Sequence, residues 1–128
     1  QRLREPAMGD FAEAISYSAC RTSNVLNAKA IVAATTSGST AKLISKYRPK
    51  CPIIAITPFE EVRRNLALNF GVLPLKCEMF NTTDEILTEA KNKAIEVDFA
   101  NPGDDIIVAA GMPTNYTGGT NMLKIEKL

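Results

Sequence analysis

Short apolar runs recur along this chain, and their pattern predicts buried strands. Three of them are apolar at every position, at residues 30–34, 53–56 and 106–110. A strand reads this way when both of its faces are covered, as in a parallel sheet with helices on each side. The sequence therefore predicts that these three segments belong to such a sheet.

Two further segments carry the marks of edge strands. Residues 72–75 contain Pro74, which has no N–H to donate to a strand ladder. Residues 122–128 place Leu123 and Ile125 in alternation with charged positions. Such alternation predicts one face exposed to water. We therefore expect both segments at the margins of the sheet.

Stretches with helical spacing separate the strands. Asp10 and Glu13 form a capping-box pattern, so a first helix is predicted to start near Asp10. Its helical repeat consists of Phe11, Ala14, Ile15, Ser18, Thr22, Val25 and Leu26. A second helix carries Leu43, Ile44 and Tyr47 and ends before Pro49, because the residue before a proline is pushed out of helical geometry.

The third and fourth helices have their own start signals. Thr57, Pro58 and Glu60 read as the cap, first-turn proline and capping partner of the third helix. Its predicted buried stripe and its stop are Val62, Leu66, Phe70 and then Gly71. In the fourth helix, Thr82 and Glu85 form a capping box. Its inward residues are predicted to be Leu87, Ala90, Ala94 and Val97.

Alternating strands and helices define an α/β fold. The first and fourth strands are apolar on both faces and carry no sign of an edge position, so we expect them in the middle of the sheet. A strand order of 3-2-1-4-5 agrees with this and with the edge positions predicted for the third and fifth strands. We expect a three-layer sandwich with helices on both faces of a five-stranded, mostly parallel sheet, and a single domain over residues 1–128.

Composition excludes several classes of function. The 128 residues are 45% hydrophobic and 23% charged, with a net charge of +1, which gives no general attraction to nucleic acid or membrane. The chain has no tryptophan and no histidine. Histidine is the commonest general base in catalysis and a common zinc ligand, so sites that depend on it are excluded. Three widely spaced cysteines, Cys20, Cys51 and Cys77, are expected as reduced, buried thiols of a cytoplasmic protein.

The candidate ligand site lies where the strand order reverses, beyond the carboxyl ends of the first and fourth strands. One loop there leads into a helix N-terminus, which favours anions, and it is rich in hydroxyls. Its residues are Thr35, Thr36, Ser37, Gly38, Ser39 and Thr40. The other loop spans residues 111–121 and includes Gly111, Thr117, Gly118, Gly119 and Thr120. We predict that the two loops together hold a phosphoryl group.

Simpler interpretations of the same residues remain open. Ser39 or Thr40 could merely cap the second helix, and the second loop could be an ordinary solvent-exposed turn. The pattern is not a nucleotide P-loop, because the G-x-x-x-x-G-K-[ST] spacing is absent. Arg63 and Arg64 read as a solvated helix face, although one of them could reach the crevice.

Several strings resemble those of one known family in order and spacing. They are AISYSAC at residues 14–20, AKAIV at 28–32, TSGSTA at 36–41, ISKYRP at 44–49 with PIIA at 52–55, FGVLP at 70–74, PGD at 102–104 and GGTN at 118–121. Together they resemble the C-terminal domain of the pyruvate kinases. The resemblance covers residues from about 12 to 128 and leaves residues 1–11 as a poorly matching extension.

The resemblance implies a regulatory and assembly role. In many members this domain binds a sugar phosphate such as fructose 1,6-bisphosphate and helps to assemble a homo-oligomer. Carried over, Thr35 and residues 37–40 match the loop that holds one phosphate, and residues 111–121 match the loop that closes over the effector. The resemblance also implies that the last strand is antiparallel.

One departure bears on the effector. Bisphosphate-binding members meet the second phosphate with an aromatic residue and an arginine near the start of the fourth helix. The corresponding segment here, residues 77–85, has no basic residue. A second phosphate would meet acidic neighbours, so a monophosphate such as a sugar monophosphate or AMP fits equally well.

Catalysis is expected to lie outside this segment. The resemblance implies that phosphoryl transfer from phosphoenolpyruvate to ADP takes place in a barrel domain with divalent metal and potassium ions. We expect no catalytic residue, cofactor or metal site in residues 1–128, and no activity from them alone. The alternative to an effector domain is a purely structural domain for subunit contacts, whose effector site has decayed.

Overall fold

Residues 11–110 and 122–128 are described in this computed structural model, and they form four helices and five strands. In chain order the elements are α1 (Phe11–Leu26), β1 (Ala30–Ala34), α2 (Ser39–Lys46), β2 (Ile53–Thr57), α3 (Glu60–Leu66), β3 (Val72–Lys76), α4 (Thr83–Glu96), β4 (Asp105–Ala110) and β5 (Met122–Lys127). The alternation of strands and helices is that predicted from the sequence.

The strands form one sheet in the order β3-β2-β1-β4-β5. All neighbouring strands are parallel except β4 and β5, which are antiparallel. At the centre, Ile31 of β1 lies opposite Ile53 of β2 and Ile107 of β4. The predicted order, the edge positions of β3 and β5 and the antiparallel last strand are confirmed.

Each face of the sheet has its own hydrophobic core. One core joins alternate strand residues such as Val32, Ile54 and Val108 to the inner side of α4. The other joins the intervening strand residues to α1, α2 and α3 through Ala19, Ala41, Ile44 and Leu66. Helices therefore cover both faces, which confirms the three-layer architecture.

The start of α4 agrees with the sequence prediction. Thr82 accepts a hydrogen bond from the backbone N–H of Glu85 at 3.1 Å, and the Glu85 carboxylate accepts from the backbone N–H of Thr82 at 3.1 Å. Ala90 and Ala94 are fully buried, while Leu87 and Val97 pack at the margin of the core. Ile86 is also fully buried, although the sequence analysis did not select it.

The prediction for α3 was wrong at both ends. The N-cap is Phe59, which makes no side-chain cap, and Thr57 is buried at the end of β2. Packing of β2 between two other strands takes precedence over the local capping pattern. The helix ends at Leu66, so Gly71 lies in the turn before β3 rather than stopping α3, and Phe70 is 66% exposed.

The exposure of side chains along β5 does not follow the alternation of polar and apolar residues in its sequence. Glu126 lies on the polar side, yet its side chain is only 11% exposed because Lys91 of α4 and Lys124 both contact it at 2.8 Å. On the apolar side, Ile125 is 49% exposed. The wet face predicted from alternation is therefore wrong, because α4 covers part of the polar side and leaves the outer edge open.

Side chains of α1 and α2 fasten these helices to each other. Glu13 accepts hydrogen bonds from the Lys46 ammonium and from the Tyr47 hydroxyl. The rings of Tyr17 and Tyr47 meet edge to face with centroids 5.7 Å apart. Asp10, the predicted cap of α1, lies outside the described residues.

The three thiols are unpaired, but only Cys20 is fully buried; Cys51 and Cys77 are half-buried. Burial raises the pKa of Cys20 and of Cys77 to about 11, and it raises the pKa of Cys51 as well. Thiols held in the protonated form are poor nucleophiles. None of the described helices is long and apolar enough to traverse a lipid bilayer.

Candidate phosphate-binding site

The loop after β1 enters α2 through a glycine rather than through a hydroxyl cap. Gly38 is the N-cap residue of α2, with a left-handed φ of 92° and no side-chain cap. Ser39 and Thr40 already lie in the first turn of the helix. The alternative that one of them caps α2 is therefore wrong, because the chain turns into the helix one residue earlier than a serine cap would require.

A buried hydrogen bond holds the loop in this conformation. The backbone N–H of Gly38 donates to the hydroxyl oxygen of Thr35 at 2.8 Å, and Thr35 is only 4% exposed. The hydroxyls of Ser37 and Ser39 lie 3.0 Å apart, and the Ser39 N–H donates to Ser37 at 3.3 Å. The loop thus has a fixed base at Thr35 and a hydroxyl pair at its rim.

Exposure divides the six predicted residues into two groups. Thr36 and Ser37 are exposed and Ser39 is half-buried, whereas Thr35, Gly38 and Thr40 are buried. The first-turn N–H groups of a helix lack carbonyl partners within the helix, and its dipole favours negative charge there. The exposed hydroxyls and these amides form a donor set of the kind a phosphate oxygen requires.

Neighbouring elements place this loop at the carboxyl edge of the sheet. Ala34 at the end of β1 pairs with Ala110 at the end of β4, both buried, so the two strands end side by side at this edge. A Cβ atom on Gly38 would lie 3.5 Å from Val62 and from Leu66, which shows that the loop packs against α3. Gly111, Thr117, Gly118, Gly119 and Thr120 of the second loop lie outside the described residues.

The N-terminus of α4 reaches the same edge from the other face of the sheet. Its own Glu85 already occupies it, because the carboxylate accepts from the N–H groups of Asn81 at 2.6 Å and Thr82 at 3.1 Å. A carboxylate in this position satisfies the local donors and adds negative charge. The starts of α2 and α3 lack a side-chain cap, whereas that of α4 has one.

Cations of α3 and β3 lie at the same carboxyl edge of the sheet. Arg63 forms an ion pair with Glu60 on its own helix, and this pair lowers the pKa of Glu60 and raises that of Arg63. Lys76, the last residue of β3, lies near enough to Glu60 to lower its pKa as well. Lys76 was not predicted as a site residue, although a cation at the carboxyl end of a parallel strand lies at the edge where ligands bind.

The chain was compared with known families and structures. The family model for the pyruvate kinase alpha/beta domain matches residues 13–126. This chain belongs to the pyruvate kinase family. Its described residues show the fold of the C-terminal pyruvate kinase domain, with the same strand order.

Curated pyruvate kinases are similar along nearly the whole chain. The pyruvate kinase of Clostridium perfringens is 61% identical over 130 residues, covering 100% of this chain and 27% of the relative. That of Clostridium acetobutylicum is 47% identical over 114 residues, covering 89% of this chain and 24% of the relative. The chain thus spans about a quarter of the length of these curated relatives.

A solved structure shares the fold. Cryptosporidium parvum pyruvate kinase in complex with ADP superposes with a TM-score of 0.84 at 34% identity. The match covers 95% of this chain and 24% of the other. The pyruvate kinase resemblance found in the sequence is therefore confirmed.

Proposed function

We propose that this pyruvate kinase domain is regulatory, and that residues 35–40 bind the phosphoryl group of an allosteric effector. In the complete enzyme it would associate with a catalytic barrel that transfers a phosphoryl group from phosphoenolpyruvate to ADP. It would also contribute to a cytoplasmic homo-oligomer. Effector binding would favour one arrangement of the subunits.

One observation carries this proposal. The loop that Gly38 turns into α2 has no side-chain cap and is held from below by the Thr35 hydroxyl, 2.8 Å from the Gly38 nitrogen. Ser37, at its exposed rim, shares a hydrogen bond with Ser39. A prearranged set of donors loses little conformational entropy on binding, which favours recognition of a small anion.

The environment of α4 favours a monophosphate over a bisphosphate. The Glu85 carboxylate, bonded to the Asn81 and Thr82 amides, occupies the start of α4 at the same edge. A second phosphate there would displace it or lie beside a like charge, and both are unfavourable. The proposed effector is therefore a sugar monophosphate or AMP.

Isothermal titration calorimetry of the 128-residue chain tests the effector site. The ligands are glucose 6-phosphate, AMP and fructose 1,6-bisphosphate at constant ionic strength. We expect one monophosphate to bind, and Ser37→Ala to weaken its binding about tenfold, because it removes one donor to a charged group. Thr88→Ala, which removes an exposed hydroxyl from the middle of α4, is the matched control.

Failure of all three ligands to bind at about 10 mM, which corresponds to a very weak complex, would refute the effector site but not the family assignment. Equal affinity of wild type and Ser37→Ala would show that binding occurs elsewhere. The isolated chain should form no pyruvate from phosphoenolpyruvate and ADP, since the proposed chemistry belongs to the barrel.

A purely structural domain for subunit contacts is the second candidate. Strand β5 is an edge strand, and Ile125 on it is 49% exposed. An open strand edge is suited to pairing with another chain. Sedimentation should then show a dimer that Ile125→Glu dissociates, whereas a strictly monomeric chain that binds sugar phosphates would exclude this candidate.

A further inference from the structure

A second hollow lies at the opposite, amino-terminal edge of the sheet. Its volume is about 270 Å³, and it opens between the turn that joins α1 to β1 and the segment that leads into β2. Its lining combines the polar or charged residues Ser23, Asn24, Asn27, Lys29 and Lys50 with Ala28, Cys51 and Pro52. The effector loop lies at the other end of β1, a strand of five residues that spans about 17 Å.

Backbone hydrogen bonds fix the two walls of this hollow. Asn27 has a left-handed φ of 54°, and the Ala28 N–H donates to the carbonyl of Ser23 at 2.9 Å, which closes the end of α1. The Lys50 N–H donates to the side-chain oxygen of Asn24 at 3.1 Å and so joins the two walls. This bond occupies the Asn24 oxygen, so its amide NH₂ remains available as a donor.

The charge of the hollow is positive. Lys29 and Lys50 both line it and both are exposed, and within the described part of the chain neither forms an ion pair within 4.0 Å. Asp105 of β4 is a neighbour of Lys29, because its backbone carbonyl accepts a hydrogen bond from the Lys29 N–H at 2.9 Å; Asp105 also carries a carboxylate. That carboxylate is engaged by Lys127 at 2.9 Å.

Two ammonium groups line one small hollow, so a bound anion would interact favourably with both. The donors at hand are two ammoniums and the amides of Asn24 and Asn27. A doubly charged anion with several acceptor oxygens matches this set, whereas a neutral ligand would leave both charges uncompensated. With a volume of about 270 Å³, the hollow lies just below the range of pockets that take drug-sized ligands, so it suits a small ligand.

We propose that this hollow binds a small organic dianion, either a phosphate monoester or a dicarboxylate, through Lys29 and Lys50. The site is separate from the effector loop, since it lies at the other end of β1. Its occupation requires none of residues 35–40, so it does not depend on the function proposed for them.

Nuclear magnetic resonance titration of the isotope-labelled chain tests the proposal. The probes are glycerol 3-phosphate and succinate, at about pH 8, where both are dianions, and at constant ionic strength so that screening does not change. We expect saturable shifts of the backbone amide signals of Asn24, Asn27, Lys29 and Cys51 with a dissociation constant on the order of 1 mM. Binding of either probe supports the dianion site, and preference for one identifies its class.

Variants distinguish binding of the dianion in this hollow from weak electrostatic attraction to the whole protein surface. Lys29→Gln and Lys50→Gln should each weaken binding about tenfold, because each removes one charge-assisted contact. Lys42→Gln, at an exposed lysine of α2, is the charge-matched control and should change nothing. Ser37→Ala should also leave these shifts intact, even if it abolishes effector binding.

Two results would overturn the proposal. One is the absence of saturation with both probes up to about 50 mM, far above the expected dissociation constant. The other is an equal response from wild type, Lys29→Gln and Lys50→Gln, which would mean that the shifts arise from weak ion association over the whole surface.

Discussion

The hydroxyl oxygen of Thr35 accepts a hydrogen bond from the backbone N–H of Gly38 at 2.8 Å, and this bond sets the shape of the candidate phosphate loop. It joins the end of β1 to the start of α2 across a turn that only a left-handed residue can make. The loop is therefore arranged before any ligand binds. Its geometry depends on Gly38 as much as on the hydroxyl groups around it.

Gly38→Ala should destabilise the chain by about 1–2 kcal/mol, the usual cost of left-handed backbone for a residue with a Cβ atom. The new methyl group itself finds room, since its nearest neighbours would lie at 3.5 Å. Gly103→Ala is the matched control, because Gly103 has a similar φ of 96° and open space around it. Urea denaturation should show a similar decrease in the free energy of unfolding for Gly38→Ala and Gly103→Ala.

Effector binding should distinguish the two glycine variants. Only Gly38→Ala should weaken the binding of a sugar monophosphate, because only Gly38 shapes the loop. A loss of stability much larger for Gly38→Ala than for Gly103→Ala would mean that contact with Val62 and Leu66 is tighter than the structure shows. Unchanged effector affinity in Gly38→Ala would contradict the assigned site.

Thr82→Ala should lower the free energy of unfolding by about 1 kcal/mol, since it removes the side-chain acceptor of the α4 capping box. Thr88→Ala removes a threonine from an exposed position within the same helix. Because alanine has the higher helix propensity, that variant should be neutral or slightly more stable. Thermal unfolding of both, followed by circular dichroism, checks the contrast, and equal melting temperatures would show that the cap is not needed.

Ser16→Ala should stabilise the chain by up to about 1 kcal/mol, because a buried hydroxyl without a partner keeps its desolvation penalty. Among the described residues, the Ser16 hydroxyl has no hydrogen-bond partner, and the residue is fully buried in α1. The control is Ser23→Ala, because Ser23 is also buried in α1 but donates to the carbonyl of Cys20 at 2.7 Å. Chemical denaturation should give Ser16→Ala a higher free energy of unfolding than wild type. Ser23→Ala should have a value equal to or lower than that of wild type.

Glu126 should make stability depend on acid pH. Hydrogen bonds from Lys124 and then Lys91 lower the pKa of Glu126 from its ordinary value of 4.5. A lowered folded-state pKa stabilises the folded chain above pH 4.5, and this contribution disappears as pH falls through the folded value. Partial exposure of the lysines limits it to less than about 1 kcal/mol.

Glu126→Gln should therefore lower stability near neutral pH and reduce the loss of stability on acidification. Glu96→Gln is the control, since Glu96 is 63% exposed and lies 3.7 Å from Lys93. Denaturation at several pH values on either side of pH 4.5 checks both variants. An unchanged acid profile in Glu126→Gln would contradict the predicted coupling between β5 and α4.

Some features of the fold and site follow from local pattern and others do not. Thr82 and Glu85 form the predicted capping box because both partners lie within one turn of the chain. Thr57 also carries a capping signal, but it is fully buried at the end of β2, where strand packing determines its place. Phe70 has helical spacing from Leu66, yet α3 ends first and the ring stacks on Arg48 with 4.6 Å between the guanidinium carbon and the ring centroid.

The sequence by itself determined the order of the strands, and it predicts the edge at which a ligand binds. Apolar runs show how many faces of each strand are buried, and this number separates β1 and β4 from the edge strands β3 and β5. Tertiary structure decided how the chain enters α2. Residues 35–40 are compatible with a serine cap or with a glycine turn, and the structure has the glycine turn, in which Gly38 packs against Val62 and Leu66 of α3. The packing against α3 joins segments that are distant along the chain, so no local pattern could reveal it.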